Sequence, residues 1–284
     1  MTTTDELRTT TIPDWCPGCG DYAILMSVKG AIADAGLEPH KTVIVSGIGC
    51  SSKLPHYVKT YGFHGIHGRP LPIATAMRLA NHDLTIIVIS GDGDCYGIGM
   101  GHFIHAVRRN VNLTLLVHDN QVYGLTTGQV SPTSDQGFKT KTTPYGSVED
   151  PVRPLALSLA AGGSFVARST AVNPKHLRAT ILEGIRHKGL AHIDIMQPCV
   201  TFNHVNTYDW YRQRAYDLAQ TGYDPTDRAA ALVKAREWGD KIPIGVIYRE
   251  ERTTYEELMP ALQAGPLVRQ PLERDIRPLM ERFV

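Results

Sequence analysis

Two sets of residues in this chain have the types and spacing for chemistry. The first is Gly91-Asp92-Gly93 with Asn120, 27 positions beyond Gly93. A carboxylate and an amide oxygen are hard donors that a divalent cation such as Mg2+ takes, and a phosphate-type anion can complete its shell. Glycines on both sides of Asp92 permit a tight turn in which backbone can meet that anion. The bare tripeptide is more often a plain turn, so its weight comes from where it sits. The second set is the cysteines: Cys16 and Cys19 form a CxxC in WCPGCG, Cys50 follows VIVSGIG, and Cys199 follows HIDIMQP. Four thiolates could hold zinc or an iron-sulfur cluster, and spacing leaves both open beside the plainer reading of unrelated buried thiols. Cys95 is left over and reads as a packed residue.

The elements that must position these residues follow from the hydropathy pattern. Residues 84–90 are a short apolar, β-branched run that stops at Gly91-Asp92-Gly93-Asp94, and residues 113–117 are a second run that stops at Asp119-Asn120. The segment between them suits a crossover helix, which puts both strand ends on one edge of a parallel sheet, where ligands of such sheets sit. Upstream, residues 22–35 have helical spacing with Gly36 as a stop, and 42–45 form a strand running into Ile48-Gly49-Cys50-Ser51. A Gly- and His-rich loop, YGFHGIHGRP, precedes a helix over about 71–81. Downstream, helices are predicted over 155–161 and from the cap Asn173-Pro174 to about 187, with strands over 165–167 and 191–196. This alternation predicts an α/β fold with a doubly wound, mainly parallel sheet.

Residues 1–200 form the expected cofactor domain. Residues 201–284, with a helix near 228–238 and a strand over 242–248, read as a C-terminal extension that contacts a partner and is not an independent domain. The first dozen residues read as a flexible or docking arm. The stretch 126–145 is a long polar loop whose apolar anchors are Val130 and Phe138, expected to order only with cofactor and partner bound.

Composition narrows the function. A chain of 284 residues with 42% hydrophobic content can bury a sizeable core. A net charge of +1, from 29 basic and 28 acidic residues, argues against nucleic-acid or membrane-surface binding through bulk electrostatics. No apolar run approaches the roughly 20 residues of a membrane span, and MTTTDELRTT lacks a signal-peptide core, so a cytoplasmic location is expected. Five cysteines, an odd number, do not suit a secreted disulfide framework.

Gly-Asp-Gly, a spacer and Asn resemble the thiamine diphosphate motif. WCPGCG from Trp15, GIGCSS from Gly47, HGR from His67, GDGD from Gly91, NQVYGLTTGQVSPT from Asn120 and QPCVTFN to Asn203 occur in that order. In this series the chain resembles the β subunit of the 2-oxoacid:ferredoxin oxidoreductases, thiamine-dependent enzymes that oxidatively decarboxylate 2-oxoacids with coenzyme A and ferredoxin. The resemblance implies a diphosphate-binding domain fold in which Cys16, Cys19, Cys50 and Cys199 hold a 4Fe-4S cluster. It makes Asp92, the Asn120 side chain and the Val122 carbonyl ligands of Mg2+. It puts Ile48, Gly49, Cys50, Ser51, His67, Gly93, Asp94, Gly124 and Leu125 against thiamine diphosphate.

The resemblance also implies a partner α subunit that carries the pyrimidine-binding domain and its activating glutamate, so that this chain alone is inactive. The expected assembly is a dimer of αβ heterodimers that passes electrons to ferredoxin. The pattern, YGLTTGQ included, looks most like the enzymes that convert 2-oxoglutarate to succinyl-CoA and CO2; pyruvate, indolepyruvate or a broad 2-oxoacid range are alternatives. A reading of another class is a non-catalytic iron-sulfur electron-transfer subunit, against which the intact Asp92 and Asn120 speak. Catalytic candidates are Lys53 and Arg69, cations able to meet a substrate carboxylate or else solvated surface groups, and His67, for diphosphate contact or proton handling.

Overall fold

In the computed structural model, which describes residues 2–273 and 275–283, strand β1 (Thr42–Ser46) is buried along its whole length. Strands covered on both faces are the mark of a parallel sheet clothed by helices. β2 (Tyr61–His64) lies outside β1, and β3 (Thr85–Gly91) and β4 (Leu113–Asp119) follow on its other side. A two-strand hairpin, β5 (Val122–Tyr123) with β6 (Gln129–Val130), branches off after β4. With β7 (Phe165–Thr170), β8 (Leu190–Met196), β9 (Ala215–Asp217) and β10 (Ile242–Arg249) the main sheet runs β2-β1-β3-β4-β8-β7-β10-β9. Pairing is parallel from β2 through β7; β10 is antiparallel to β7, and β9 is parallel to β10. The chain leaves β1 towards β2 on one side and returns to β3 on the other. Its order therefore reverses at β1, and the crevice beyond the carboxyl ends of β1 and β3 is a topological switch point.

Alternation along the strands decides which helices cover which face. Ile44, Ile87, Ile89, Leu116, Ile193 and Ile195 pack with Ile24 and Val28 of α1 (Asp21–Asp34) and with Leu177 and Ile181 of helix Pro174–Arg186. The residues between them, Val43, Val45, Ile86, Val88, Leu115 and Val117, pack with Leu71 and Ala74 of α2 (Pro70–Ala80) and Phe103 and Val107 of α3 (Met100–Arg109). Asn173 caps helix Pro174–Arg186 by accepting from the His176 backbone N at 3.3 Å. Among the described residues no helix is long and apolar enough to cross a membrane.

The structure departs from the sequence expectations in four places, one of them the strand Gln129–Val130 of the β5–β6 hairpin, which lies inside the stretch read as loop. Tyr61–His64, read as loop, pairs with β1 as an edge strand. All four of its residues are exposed, so no alternation could mark it. The N-terminal arm is tied down: Leu7 is fully buried, its carbonyl accepts from the Lys59 backbone N, and Arg8 bridges Val58. A single apolar residue in a polar stretch gives no period to read. Strand β7 runs on through Arg168, Ser169 and Thr170, polar residues that are buried nonetheless. Beyond Thr201 the chain returns to the same sheet through β9 and β10.

Candidate functional site

The turn after β3 carries Asp92 and Asp94, each 2% exposed, into a π-helical turn over Gly93–Ile98. Such turns are rare and concentrate at functional sites. A cleft of about 100 Å3 opens there, at the switch point. It is lined by Ile48, Gly49, Cys50 and Ser51 after β1, His67, Asp92, Gly93 and Asp94 around the turn after β3, and Asn120, Val122, Gly124 and Leu125 after β4. The residues assigned by resemblance to Mg2+ and diphosphate thus meet in one place, although they come from four separate stretches.

Asp92 Oδ2 accepts from Ser131 Oγ at 2.5 Å and Thr133 Oγ1 at 2.7 Å, and Thr133 Oγ1 also lies 2.7 Å from Asp119 Oδ1. Burial pushes the Asp92 and Asp119 carboxyls up, Asp119 well up, with neighbouring carboxylates adding to the Asp119 shift. Thr133 has one hydroxyl proton for two carboxyls, so with that proton on Asp92 the neighbouring Asp119 meets the hydroxyl in its protonated form, and Asp92 is the carboxylate suited to a hard divalent cation. Between Asn120 and Val122, Gln121 adopts a left-handed φ of 59°, which turns the chain sharply between the two expected ligands.

Asp94 is occupied within the protein. Its Oδ1 accepts from Ile48 N at 3.1 Å and Gly68 N at 2.7 Å and meets His67 Nδ1 at 2.5 Å, while Oδ2 accepts from Ser90 Oγ at 2.5 Å. It therefore ties the turns after β1 and β3 to the loop before α2. A Cβ on Gly47 would come 2.0 Å from Asp94 Oδ2, so glycine is required for that approach.

Cys16, Cys19, Cys50 and Cys199 line a second cavity, of about 200 Å3, with Trp15, Asp21 and Gln197. It shares Cys50, Asn120, Gly124 and Leu125 with the first cleft. A Cβ on Gly124 would lie 3.7 Å from Cys50 Sγ and 3.8 Å from Cys199 Sγ, in the space these sulfurs border. Among the described residues no three His, Cys, Asp or Glu side chains gather as ligands of a single ion. Trp15 Nε1 donates to the Cys50 carbonyl at 2.7 Å, and Gln197 Nε2 donates to Cys19 Sγ at 3.2 Å. Burial, then the Asp21 carboxylate, pushes the Cys50 thiol up to about 11 and the Cys19 thiol well up. Cys95 is buried in the core and takes no part.

The three catalytic candidates are placed differently. His67 is in the cleft, half-buried, with Nδ1 on Asp94. Lys53 lines the cysteine cavity instead, its Nζ paired with Asp14 at 2.9 and 3.0 Å. Arg69 lines neither space, and its guanidinium donates to the Gly68 carbonyl at 3.4 Å. Sequence reasoning assigned no role to Ser90, Ser131, Thr133 or Ser134, although Ser131 and Thr133 lie in the run NQVYGLTTGQVSPT. Hydroxyl residues are common in loops, and their nearness to the Gly-Asp-Gly turn in space shows what they touch.

The family model for the C-terminal TPP-binding domain of thiamine pyrophosphate enzymes matches residues 47–195, and the model for the C-terminal part of the pyruvate ferredoxin oxidoreductase beta chain matches residues 199–264. The chain is 48% identical over 261 residues to 2-oxoacid:ferredoxin oxidoreductase 1, subunit beta, of Aeropyrum pernix, covering 88% of this chain and 82% of that one. It is 48% identical over 189 residues to the 2-oxoglutarate oxidoreductase subunit KorB of Mycobacterium tuberculosis, covering 66% of this chain and 51% of that one. It resembles the solved 2-oxoglutarate:ferredoxin oxidoreductase from Magnetococcus marinus, with 2-oxoglutarate, coenzyme A and succinyl-CoA bound, at a TM-score of 0.92 and 36% identity, over 99% of this chain and 96% of that one.

Proposed function

The chain belongs to the β-subunit family of the 2-oxoacid:ferredoxin oxidoreductases, and from that premise we propose that it acts on 2-oxoglutarate, yielding succinyl-CoA and CO2 and reducing ferredoxin. The observation that carries this reading is the shared wall: Cys50, Asn120, Gly124 and Leu125 border both the cleft and the four-cysteine cavity. A group held in the cleft would therefore adjoin one held by the cysteines. In this reading Asp92, the Asn120 amide oxygen and the Val122 carbonyl hold Mg2+. Ile48 to Ser51, Gly93, Gly124, Leu125 and His67 line the seat of the diphosphate. Cys16, Cys19, Cys50 and Cys199 hold a 4Fe-4S cluster. Thiamine diphosphate would supply an electron sink at its thiazolium, and the cluster a one-electron exit.

The chain's own residues orient and screen. His67 meets Asp94 through Nδ1, which leaves Nε2 as the ring nitrogen for a ligand in the cleft. Asp94 lines the cleft and keeps the diphosphate turn closed, because both of its oxygens accept protein donors. For the distal carboxylate of the substrate we favour Lys53 over Arg69, since Lys53 borders the cavity that shares a wall with the cleft. Exposed Leu267, Val268, Leu272, Ile276, Leu279 and Met280 suit the contact of the C-terminal stretch with an α subunit that brings the pyrimidine-binding domain.

The test is a ferredoxin-linked assay of the co-expressed α and β chains over a panel of 2-oxoacids. Wild type is expected to prefer 2-oxoglutarate. Lys53→Ala is expected to lose about 10-fold or more of its preference over pyruvate, as a charged hydrogen bond of about 1.5–3 kcal/mol implies. Pyruvate turnover equal to that of 2-oxoglutarate would overturn the substrate assignment, and an unchanged ratio in the variant would remove Lys53 from it.

A further inference from the structure

The segment Ser131–Ser134 touches both turns that carry the expected metal ligands. On the β3 side, Ser131 Oγ and Thr133 Oγ1 donate to the same oxygen of Asp92, Oδ2, at 2.5 and 2.7 Å. On the β4 side, Thr133 Oγ1 lies 2.7 Å from Asp119 Oδ1, Gln121 Nε2 donates to the Thr133 carbonyl at 2.8 Å, and Ser134 Oγ donates to the Gln121 carbonyl at 2.5 Å. Ser131, Thr133 and Ser134 are all buried, with Thr133 3% exposed. Gln121 is the residue whose left-handed backbone separates Asn120 from Val122, a conformation that a non-glycine residue keeps only when its surroundings hold it. The far end is anchored too: Trp238 Nε1 donates to Asp135 Oδ2 at 3.2 Å, and the Arg168 guanidinium lies 5.6 Å from the Trp238 ring centroid.

We propose that Ser131–Ser134 is a clasp that presets the Mg2+ site, with Thr133 as its central positioning residue. Two hydroxyls engage one oxygen of Asp92, so the other oxygen is left for the cation. Thr133 and Ser134 of the same segment lock the Gln121 turn, which fixes Asn120 and Val122 relative to Asp92 before any ion arrives. Partners that orient a ligand in this way change metal affinity by about 10–100-fold when removed. The proposal rests on the reading that Asp92, Asn120 and Val122 hold Mg2+.

The experiment uses the co-expressed complex and measures thiamine diphosphate binding by calorimetry as Mg2+ is titrated, with thermal melting of the metal-free complex as a second readout. Thr133→Val is expected to raise the half-saturating Mg2+ concentration by about 10-fold or more. Saturating Mg2+ should restore full occupancy, and Thr133→Ser, which returns the hydroxyl, should return the wild-type requirement. An unshifted Mg2+ requirement in Thr133→Val overturns the clasp, and so does an equal shift in the Val and Ser variants, which would reflect lost packing. If Thr133→Val does not assemble, Ser134→Ala, which removes the Gln121 contact, is judged by the same criterion. Wild-type binding that needs no Mg2+ would overturn the metal assignment itself, and the clasp with it; Mg2+-dependent wild type with an unshifted variant overturns the clasp alone.

Discussion

Cys50 shows what burial does to a thiol beside a carboxylate. Its thiol rises from an ordinary value of 9.0 to about 11, through burial first and the Asp21 carboxylate second, and Cys199 moves the same way through burial. A folded value above the unfolded one means the protonated thiol stabilises the unloaded fold below pH 9.0, and that contribution is lost as pH rises through about 11. Metal or cluster ligation needs thiolates and releases protons, so it runs the opposite way with pH. The metal-free chain is thus expected to lose melting temperature over that alkaline window, and Cys50→Ser to lose less. Iron and sulfide should load more completely at mildly alkaline than at neutral pH, followed by charge-transfer absorbance. Alkaline melting identical in wild type and Cys50→Ser would sink this account. At this scale the sequence supplied residue types and, through resemblance, roles. It could not tell that Lys53 Nζ pairs with Asp14 or that Asp94 is enclosed by four partners, because most of those partners lie tens of positions away.

Elements are joined by a few buried polar contacts as well as by the core. Arg78 of α2 donates through Nε to Glu256 at 2.6 Å and through Nη1 to the Leu84 carbonyl at 2.7 Å, and Glu256 also accepts from the Asn112 backbone N at 3.2 Å. The two side chains are 13% and 6% exposed, so removing one strands the other as a buried charge. Arg78→Ala is expected to cost about 3–5 kcal/mol in chemical denaturation. The double variant Arg78→Met with Glu256→Leu should cost less than either single one. A loss within about 0.5 kcal/mol, as for an ordinary surface site, would show that the pair is solvated. The central strands were legible because both faces are apolar and each run ends in turn residues. In the long loop, the hydroxyls of Ser131 and Thr133 at Asp92 and the pairing of Val130 with Val122 are contacts that its polar composition does not single out.

For the whole molecule, the C-terminal stretch combines two textures. Its strand β10 continues the sheet beside β7, whereas Leu267 to Phe283 leaves a series of apolar side chains exposed, Leu272 fully and Phe283 at 91%. Exposed apolar series of this kind are interaction surfaces in waiting. Truncation after Gly265 is expected to weaken assembly with the α chain at least 10-fold, about 1.4 kcal/mol, while leaving the circular dichroism of the sheet unchanged. Size-exclusion chromatography of the co-expressed pair decides it, and undiminished assembly would end the assignment.

Local chemistry in the sequence determined the parallel α/β alternation, the turn residues at the strand ends and the series of motifs, because each depends on neighbours within a few positions. Tertiary structure alone decided which of those turns face one another. The reversal of strand order at β1 brings Ile48, Asp92 and Asn120 to one crevice, and the return of β8 beside β4 sets Cys199 against the cavity that Cys16, Cys19 and Cys50 border. Those meetings depend on strand order in the sheet, a property of pairings between distant segments that no local pattern of residues encodes.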